Sequence, residues 1–365
     1  MSGLNLKSAT VEAIVQETGK IQVLTVRVGG NSERAVNYLE LGEKVEAGQQ
    51  IVLNTTAVDL SLGSGGCHFV IPARAEMNKG WGHLMKLRYT PLQLRVNSAE
   101  EQDSPWHHLF QDAGGLEGVP VLSAELHSMV APLALAIKAL APQARIVYMA
   151  TEGGALPAAF SRNTATLKEL GVISRVITAG HAFGGDLETI NVFTGLQAAG
   201  RVAKADYVIA AMGPGIAGTG TVYGFSGMEQ GTVLQAAYAL GGQGILVPRI
   251  GFADSRQRHQ GISHHTLTVL TRAYLGPVWV PFPLLPRAKG KAIWNQARGL
   301  PKRCRRRWLD GSFIAQIAEK HPELFASMGR NYGQNPEFFL ALGAAARLAV
   351  TLDRSKSPFR RIAIK

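Results

Sequence analysis

The sequence predicts an α/β protein: a doubly wound, mostly parallel sheet, preceded by a small β-barrel-like domain and followed by a basic helical tail. Three observations lead there. Between residues 119 and 284, strand-length apolar runs alternate with helix-length runs rich in Ala and Leu. The strand runs are apolar at every position rather than at every second one, as strands covered by helices on both faces require. The flanking segments differ from this middle and from each other: the first 72 residues carry short Val/Ile runs between glycine-rich turns, and the last 81 carry the net charge.

Residues 1–72 hold apolar runs at Val11–Val15, Ile21–Val28, Gln50–Leu53 and His68–Ile71, separated by turn clusters at 29–32 and 63–66. Such short strands with glycine corners predict a closed barrel first and an open sandwich second. Residues 73–118 read as a connector, with a strand pair split at Pro91 and then a polar segment holding one short helix. Residues 119–284 form the Rossmann-like core. Its strands are expected at Pro120–Leu126, Arg145–Ala150, Ser174–Ala179, Asp206–Met212, Gly244–Ile250 and Pro277–Pro281. Helices are expected at Ala131–Leu140, Pro157–Leu170, Asn191–Ala203, Gly227–Leu240 and Ser263–Tyr274. Alternation at this spacing makes βαβ units. Residues 285–365 show no apolar periodicity strong enough for a core element up to Trp308, then two or three short helices between Ser312 and Val350.

With 365 residues, 46% hydrophobic and 18% charged, the chain is too apolar for general disorder. The formal charge of +12 is local: from Leu285 onward there are 17 basic and 5 acidic residues, and the rest balances. Residues 285–310, with the run 302–308 (KRCRRRW) and Trp294 nearby, are therefore a candidate contact for nucleic acid or a protein partner, against the plainer reading of a solvated basic linker. Cys67 and Cys304 form neither a metal pattern nor a disulfide framework, which points to a reducing cytoplasm. The N-terminus lacks the long apolar core of a signal peptide, and no run approaches the ~18 apolar residues of a membrane helix. No membrane partner is expected; a homo-oligomer is compatible with the composition.

In an open parallel sheet, ligands bind beyond the carboxyl ends of the strands. The expected strand ends gather polar residues, and the opposite loops hold ordinary turn material. Glu125, His127, His181, Asp186 and Glu188 are the candidate catalytic residues, with an imidazole moving a proton and a carboxylate supporting it. The spacings His181-x4-Asp186 and Glu125-x-His127 match no known metal signature, so no metal ligand is assigned and the cofactor stays unknown. After the fourth strand, Gly213, Gly215 and Gly218 match G-x-G-x-x-G, followed by Thr219 and Gly220. No helix opens at once, and no acidic residue stands about 20 positions on, so a loop closing on an anion fits better than a dinucleotide fingerprint. Glycines serving close helix–sheet packing are the alternative. The densest polar cluster follows the fifth strand: Arg249, Arg256, Arg258, His259, His264 and His265, with Ser263 placed to cap the next helix. Together with the glycine loop, these residues are the candidate anion-binding set.

Several segments carry a resemblance. IVLNTTAVDLSLGSGGCHFV, GHLMKLRYTPLQ, ELHSMVAP, TAGHAFGGDLETINVFTGL, GPGIAGTGTVYGFSGMEQG and VPRIGFADSRQRHQGISHHT occur in order and together resemble a bacterial family known only as domain of unknown function 3866. The likeness spans roughly residues 10–284 and leaves the basic tail without a counterpart. It implies no reaction, substrate or cofactor. The functional expectation is an enzyme acting on a small anionic metabolite, phosphorylated ones included, by acid/base hydrolysis or group transfer at the carboxyl edge of the sheet. The alternative is a non-catalytic ligand-binding or scaffold protein whose basic tail recruits nucleic acid or a protein.

Overall fold

The computed structural model describes residues 4–61, 65–72 and 82–355. Gly63 and Ser64 of the expected turn, and 73–81 of the expected connector, lie outside them. The chain divides into two compact units, Met1–Asn97 and Ser98–Lys365.

The first unit is a closed five-stranded barrel. Its strands are β1 (Leu6–Glu17), β2 (Ile21–Val28), β3 (Asn31–Tyr38), β4 (Gln50–Asn54) and β5 (Cys67–Ile71), in the order β1-β2-β3-β5-β4 with β4 closing on β1. All neighbours run antiparallel except β3 and β5. Ala9, Val11, Leu24, Val26, Ala35, Ile51 and Leu53 fill the interior. Strand β3 was not visible in the sequence: only Ala35, Val36 and Asn37 of NSERAVNY are buried, too short a run to register as an apolar period. A single turn, α1 (Thr56–Asp59), follows β4, and β6 (Leu84–Lys86) pairs antiparallel with β7 (Leu94–Val96) around Pro91.

The second unit is an eight-stranded sheet wrapped by helices. In chain order its strands are β8 (Pro120–Ser123), β9 (Ile146–Thr151), β10 (Arg175–Thr178), β11 (Leu187–Glu188), β12 (Tyr207–Met212), β13 (Gln243–Leu246), and, after a two-residue pair β14 (Ile250–Gly251) and β15 (Gly261–Ile262), β16 (Val278–Pro283) and β17 (Cys304–Leu309). Their spatial order is β11-β10-β9-β12-β8-β13-β16-β17, parallel at every pairing. The continuous apolar runs have the predicted cause. Along β9, Ile146, Tyr148 and Ala150 enter one core, and Val147 and Met149 enter another on the opposite face. Helices α2 (Val130–Leu140), α3 (Arg162–Glu169), α8 (Ile314–Lys320) and α9 (Pro336–Thr351) contribute to the first core. Helices α4 (Val192–Gln197) and α5 (Gln230–Ala239) contribute to the second. Helices α6 (His264–Thr268) and α7 (Arg287–Arg298) complete a third core with β13 and β16. A short antiparallel pair, β18 (Ala326–Ser327) and β19 (Arg330–Asn331), precedes α9.

The expectation for 285–308 is corrected by the structure: α7 places Ile293 and Ala297 in the third core, and the strand that follows places Cys304 there. Residues with no apparent core role form β17, the edge strand, and α9 beyond it is buried along most of its length. The apolar signal is missing because an edge strand can be charged: of Cys304–Arg307 only Cys304 is buried. The guanidiniums of Arg305 and Arg307 lie 5.6 and 4.7 Å from the Trp279 ring centroid, and Arg306 donates to the Ala297 carbonyl at 3.0 Å. Charge on an exposed edge also discourages further strand pairing. Among the described residues, no helix is long and apolar enough to cross a membrane.

Candidate functional site

Strand order decides which carboxyl-end loops meet. β8 and β13 are neighbours, so the segment after β8 faces the segment after β13, although more than 120 positions separate them. Glu125 follows β8 and is fully buried. Its Oε1 accepts from His265 Nδ1 at 2.5 Å and from Arg249 Nη1 at 3.1 Å. Burial acts to raise the carboxyl pKa, but the His265 hydrogen bond and the Arg249 charge outweigh it and hold Glu125 below its ordinary value. Its Oε2 is buried without a hydrogen-bond partner among the described residues.

The β14–β15 pair projects the loop bearing Asp254, Arg256, Arg258 and His259. Ser263 then caps α6 as its sequence position predicts, accepting from the His265 backbone N–H at 3.3 Å. The same hydroxyl meets His259 Nδ1 at 2.9 Å. One serine thus fixes the start of the helix and the orientation of a histidine. His259, His264 and His265 form a compact trio, with ring centroids 4.3 Å (His264–His265), 5.0 Å (His259–His264) and 5.2 Å (His259–His265) apart. One ring nitrogen from each lies within 4.8 Å of those of the other two. Burial, reinforced by the charges of Arg249 and Arg256, pushes His259 down to about 4. Burial with His265 and Arg258 lowers His264 as well.

The glycine-rich loop covers this trio. Phe225 stacks on His265 at 3.8 Å between centroids and 5° between planes. A Cβ at Gly218 would stand 3.9 and 4.0 Å from His265 Cε1 and Nε2, and one at Gly220 would stand 3.6 Å from the Arg258 guanidinium. Gly213 does a different job: a Cβ there would lie 2.2 Å from the Ala155 carbonyl oxygen, so the loops after β9 and β12 abut backbone to backbone. Gly215 has φ +101° in open space. Thr219 and Thr221 bond to each other and within the loop, so their hydroxyls brace it.

The three arginines divide by partner. Arg249 is held by Glu125, with Asp254 3.9 Å from its Nη2. Arg256 forms a fork on Asp254, at 2.9 and 2.8 Å, which keeps the Asp254 carboxyl well below the usual range. Arg258 has no ion pair among the described residues and is exposed beside Gly220 and His264. A small cleft adjoins Arg249, and Ser327, Arg330 and Asn335 from the C-terminal part of the chain line it together with Asp254 and His259.

The other predicted residues stand elsewhere along the edge. His127 turns away from Glu125: its Nε2 meets Ser161 Oγ at 2.6 Å, and its Nδ1 lies 3.2 Å from the Tyr148 hydroxyl and 3.3 Å from the Met212 carbonyl. Burial there holds His127 down to about 4 against the Met212 contact. The His181 backbone N–H donates to Glu152 Oε2 at 2.7 Å. Asp186 pairs with Lys168 at 2.5 Å and accepts from the Val176 N–H at 2.8 Å. Glu188 accepts from Thr178 Oγ1 at 2.6 Å and the Gly184 N–H at 2.7 Å. β10 is three strands from β8, roughly 14 Å at the usual strand spacing, so these loops do not reach Glu125. The polar residues expected along the carboxyl edge therefore fall into a β8–β13 cluster and a separate β10–β11 edge, with His127 apart from both.

Nothing in the sequence singles out Glu229. It is largely buried, accepts from Thr151 Oγ1 and the Gly153 N–H, and burial raises it to about 7. Its place in the sequence is the short 3-10 turn Ser226–Glu229 that leads into α5.

Residues 34–346 match the family described as "Protein of unknown function (DUF3866)". The chain belongs to this family. The match begins later than the resemblance suggested and runs past residue 284 through β17 and most of α9, so the basic segment is part of the family's common body. No curated protein and no solved structure matches the chain.

Proposed function

We propose that this member of the family is an enzyme acting on a small anionic metabolite, phosphate esters included, by hydrolysis or group transfer at the β8–β13 end of the sheet. One observation carries the reading. Arg258, a guanidinium without an ion pair among the described residues, stands beside His264 of the imidazole trio and Gly220 of the glycine-rich loop, and a fully buried carboxylate braces His265 of that trio. Arg258 has its fork unspent and suits a phosphoryl or carboxylate group. The loop over it has no side chain at Gly218 or Gly220 to keep an anion away. Glu125 fixes the His265 ring by engaging Nδ1, so that Nε2 faces Gly218 and the ligand space. Preorganised polar groups are what charge development in such reactions needs.

The test is binding and turnover of a panel of phosphate and carboxylate esters by the full chain, with inorganic phosphate as a simple probe. R258A is expected to weaken phosphate binding at least tenfold, and H265A to abolish turnover of whichever ester is accepted. Phosphate affinity unchanged in R258A, or no turnover of any ester by the wild-type chain, removes the reading.

A further inference from the structure

We propose that His259, His264 and His265 form a binding site for a single divalent transition-metal ion of the zinc class, with Glu125 as the carboxylate that orients one ligand. The inference rests on the reading above and specifies how the three imidazoles act. Their ring nitrogens already converge within 4.8 Å of one another. A tetrahedral ion with metal–nitrogen bonds of about 2.0–2.1 Å needs neighbouring donors at roughly 3.3 Å, so modest side-chain rotations close the set. Three histidine ligands with one open position are a catalytic rather than a structural donor set.

The surrounding bonds select which atoms are left to coordinate. His265 Nδ1 is engaged by Glu125, and His259 Nδ1 by Ser263, which leaves Nε2 of each ring. His264 Nε2 is buried and has no hydrogen-bond partner among the described residues. An uncompensated buried imidazole nitrogen is costly unless something accepts its lone pair or proton. The Glu125–His265 contact reproduces the carboxylate–histidine–metal relay that fixes tautomer and ring direction in metal sites. The charges nearby are mixed. Arg249 is neutralised by Glu125, and Arg256 by Asp254. Arg258 is left as the cation that would hold an anionic ligand beside the metal's open position. Imidazole donors favour zinc, copper, iron or nickel over magnesium and calcium.

The experiment uses the full-length protein, stripped with a chelator and titrated with zinc against a chromophoric chelator. Cobalt(II) serves as a second probe, reporting geometry through its visible absorption. One zinc per chain and a tetrahedral cobalt spectrum are expected, with magnesium unable to compete. H264A and H259A should each weaken zinc affinity by at least tenfold, and E125Q by 10–100-fold as loss of an orienting partner does. H321A, a histidine beside Glu323 outside the trio, should bind zinc like the wild type. Less than a tenth of an equivalent of bound zinc, or wild-type affinity in both H264A and H259A, overturns the proposal. Circular dichroism of each variant separates lost metal binding from lost folding, and a variant that fails to fold is replaced by its Gln counterpart. If phosphate binding still depends on Arg258 while zinc does not bind, the metal site fails alone. If zinc binds but phosphate and esters do not, the enzymatic reading fails alone.

Discussion

Glu125 and His265 stand 140 positions apart in the chain and meet at 2.5 Å, with the carboxylate wholly buried. The contact ties the end of β8 to the first turn of α6, and Arg249 on the same oxygen ties in the segment after β13. Three non-local pieces of backbone therefore depend on one side chain.

Removing that side chain leaves the buried Arg249 guanidinium with only Asp254, 3.9 Å away and already engaged by Arg256, as counter-charge. E125A is expected to lower unfolding stability by about 3–5 kcal/mol, the usual cost of breaking a buried pair from one side. Urea denaturation followed by circular dichroism measures it. A loss under about 1 kcal/mol would mean that Arg249 and His265 find other partners and the cluster is not held by this carboxylate.

Glu229 gives a pH signature. Burial raises it from an ordinary 4.5 to about 7, so the folded state keeps the proton where the unfolded state releases it. Stability is therefore lost as pH climbs from about 4.5 to about 7, by on the order of 3 kcal/mol, and stays lost above that range. E229Q keeps the shape and removes the charge. It should melt higher than the wild type at pH 8, and the difference should vanish near pH 4. Parallel melting curves across that range would show that Glu229 does not titrate as its burial implies.

Ser161 joins helix and histidine. Its hydroxyl accepts from the Thr164 N–H at 3.0 Å as the cap of α3 and meets His127 Nε2 at 2.6 Å. S161A is expected to cost about 1–3 kcal/mol, a lost cap together with a buried ring nitrogen deprived of its partner. Thermal melts check the cost, and an unchanged midpoint would show that the cap contributes little.

Gly213 tests the close approach of two loops. Its backbone needs no positive φ, so only space forbids a side chain: a Cβ would sit 2.2 Å from the Ala155 oxygen. G213A should destabilise by about 1–3 kcal/mol through overpacking. It should also weaken phosphate binding, because the displaced loop carries Gly218 and Gly220. Wild-type melting and binding would mean that the loops separate at no cost.

The sequence carried the sheet well where burial is two-sided. β9 and β12 read as strands because every residue faces a core, and α6 was bounded correctly at Ser263 by its capping chemistry. It failed at β3 and β17, where exposed or charged positions erase the apolar period. Within the candidate site, His259, His264 and His265 were legible as a cluster because they lie within seven consecutive positions. Pairing Glu125 with His127 or His181 followed nearness in sequence or along the edge, and the fold joins it to His265 instead.

By itself, the sequence determined that this chain builds a parallel sheet, and which loops lie at its carboxyl edge. Both are set by local periodicity and turn chemistry, which a short window of residues contains. Only the tertiary structure decided which of those loops touch. Strand order is fixed by contacts between distant segments, and placing β8 beside β13, with β12 and β9 between β8 and β10, gives Glu125 to His265 and leaves Asp186 to Lys168.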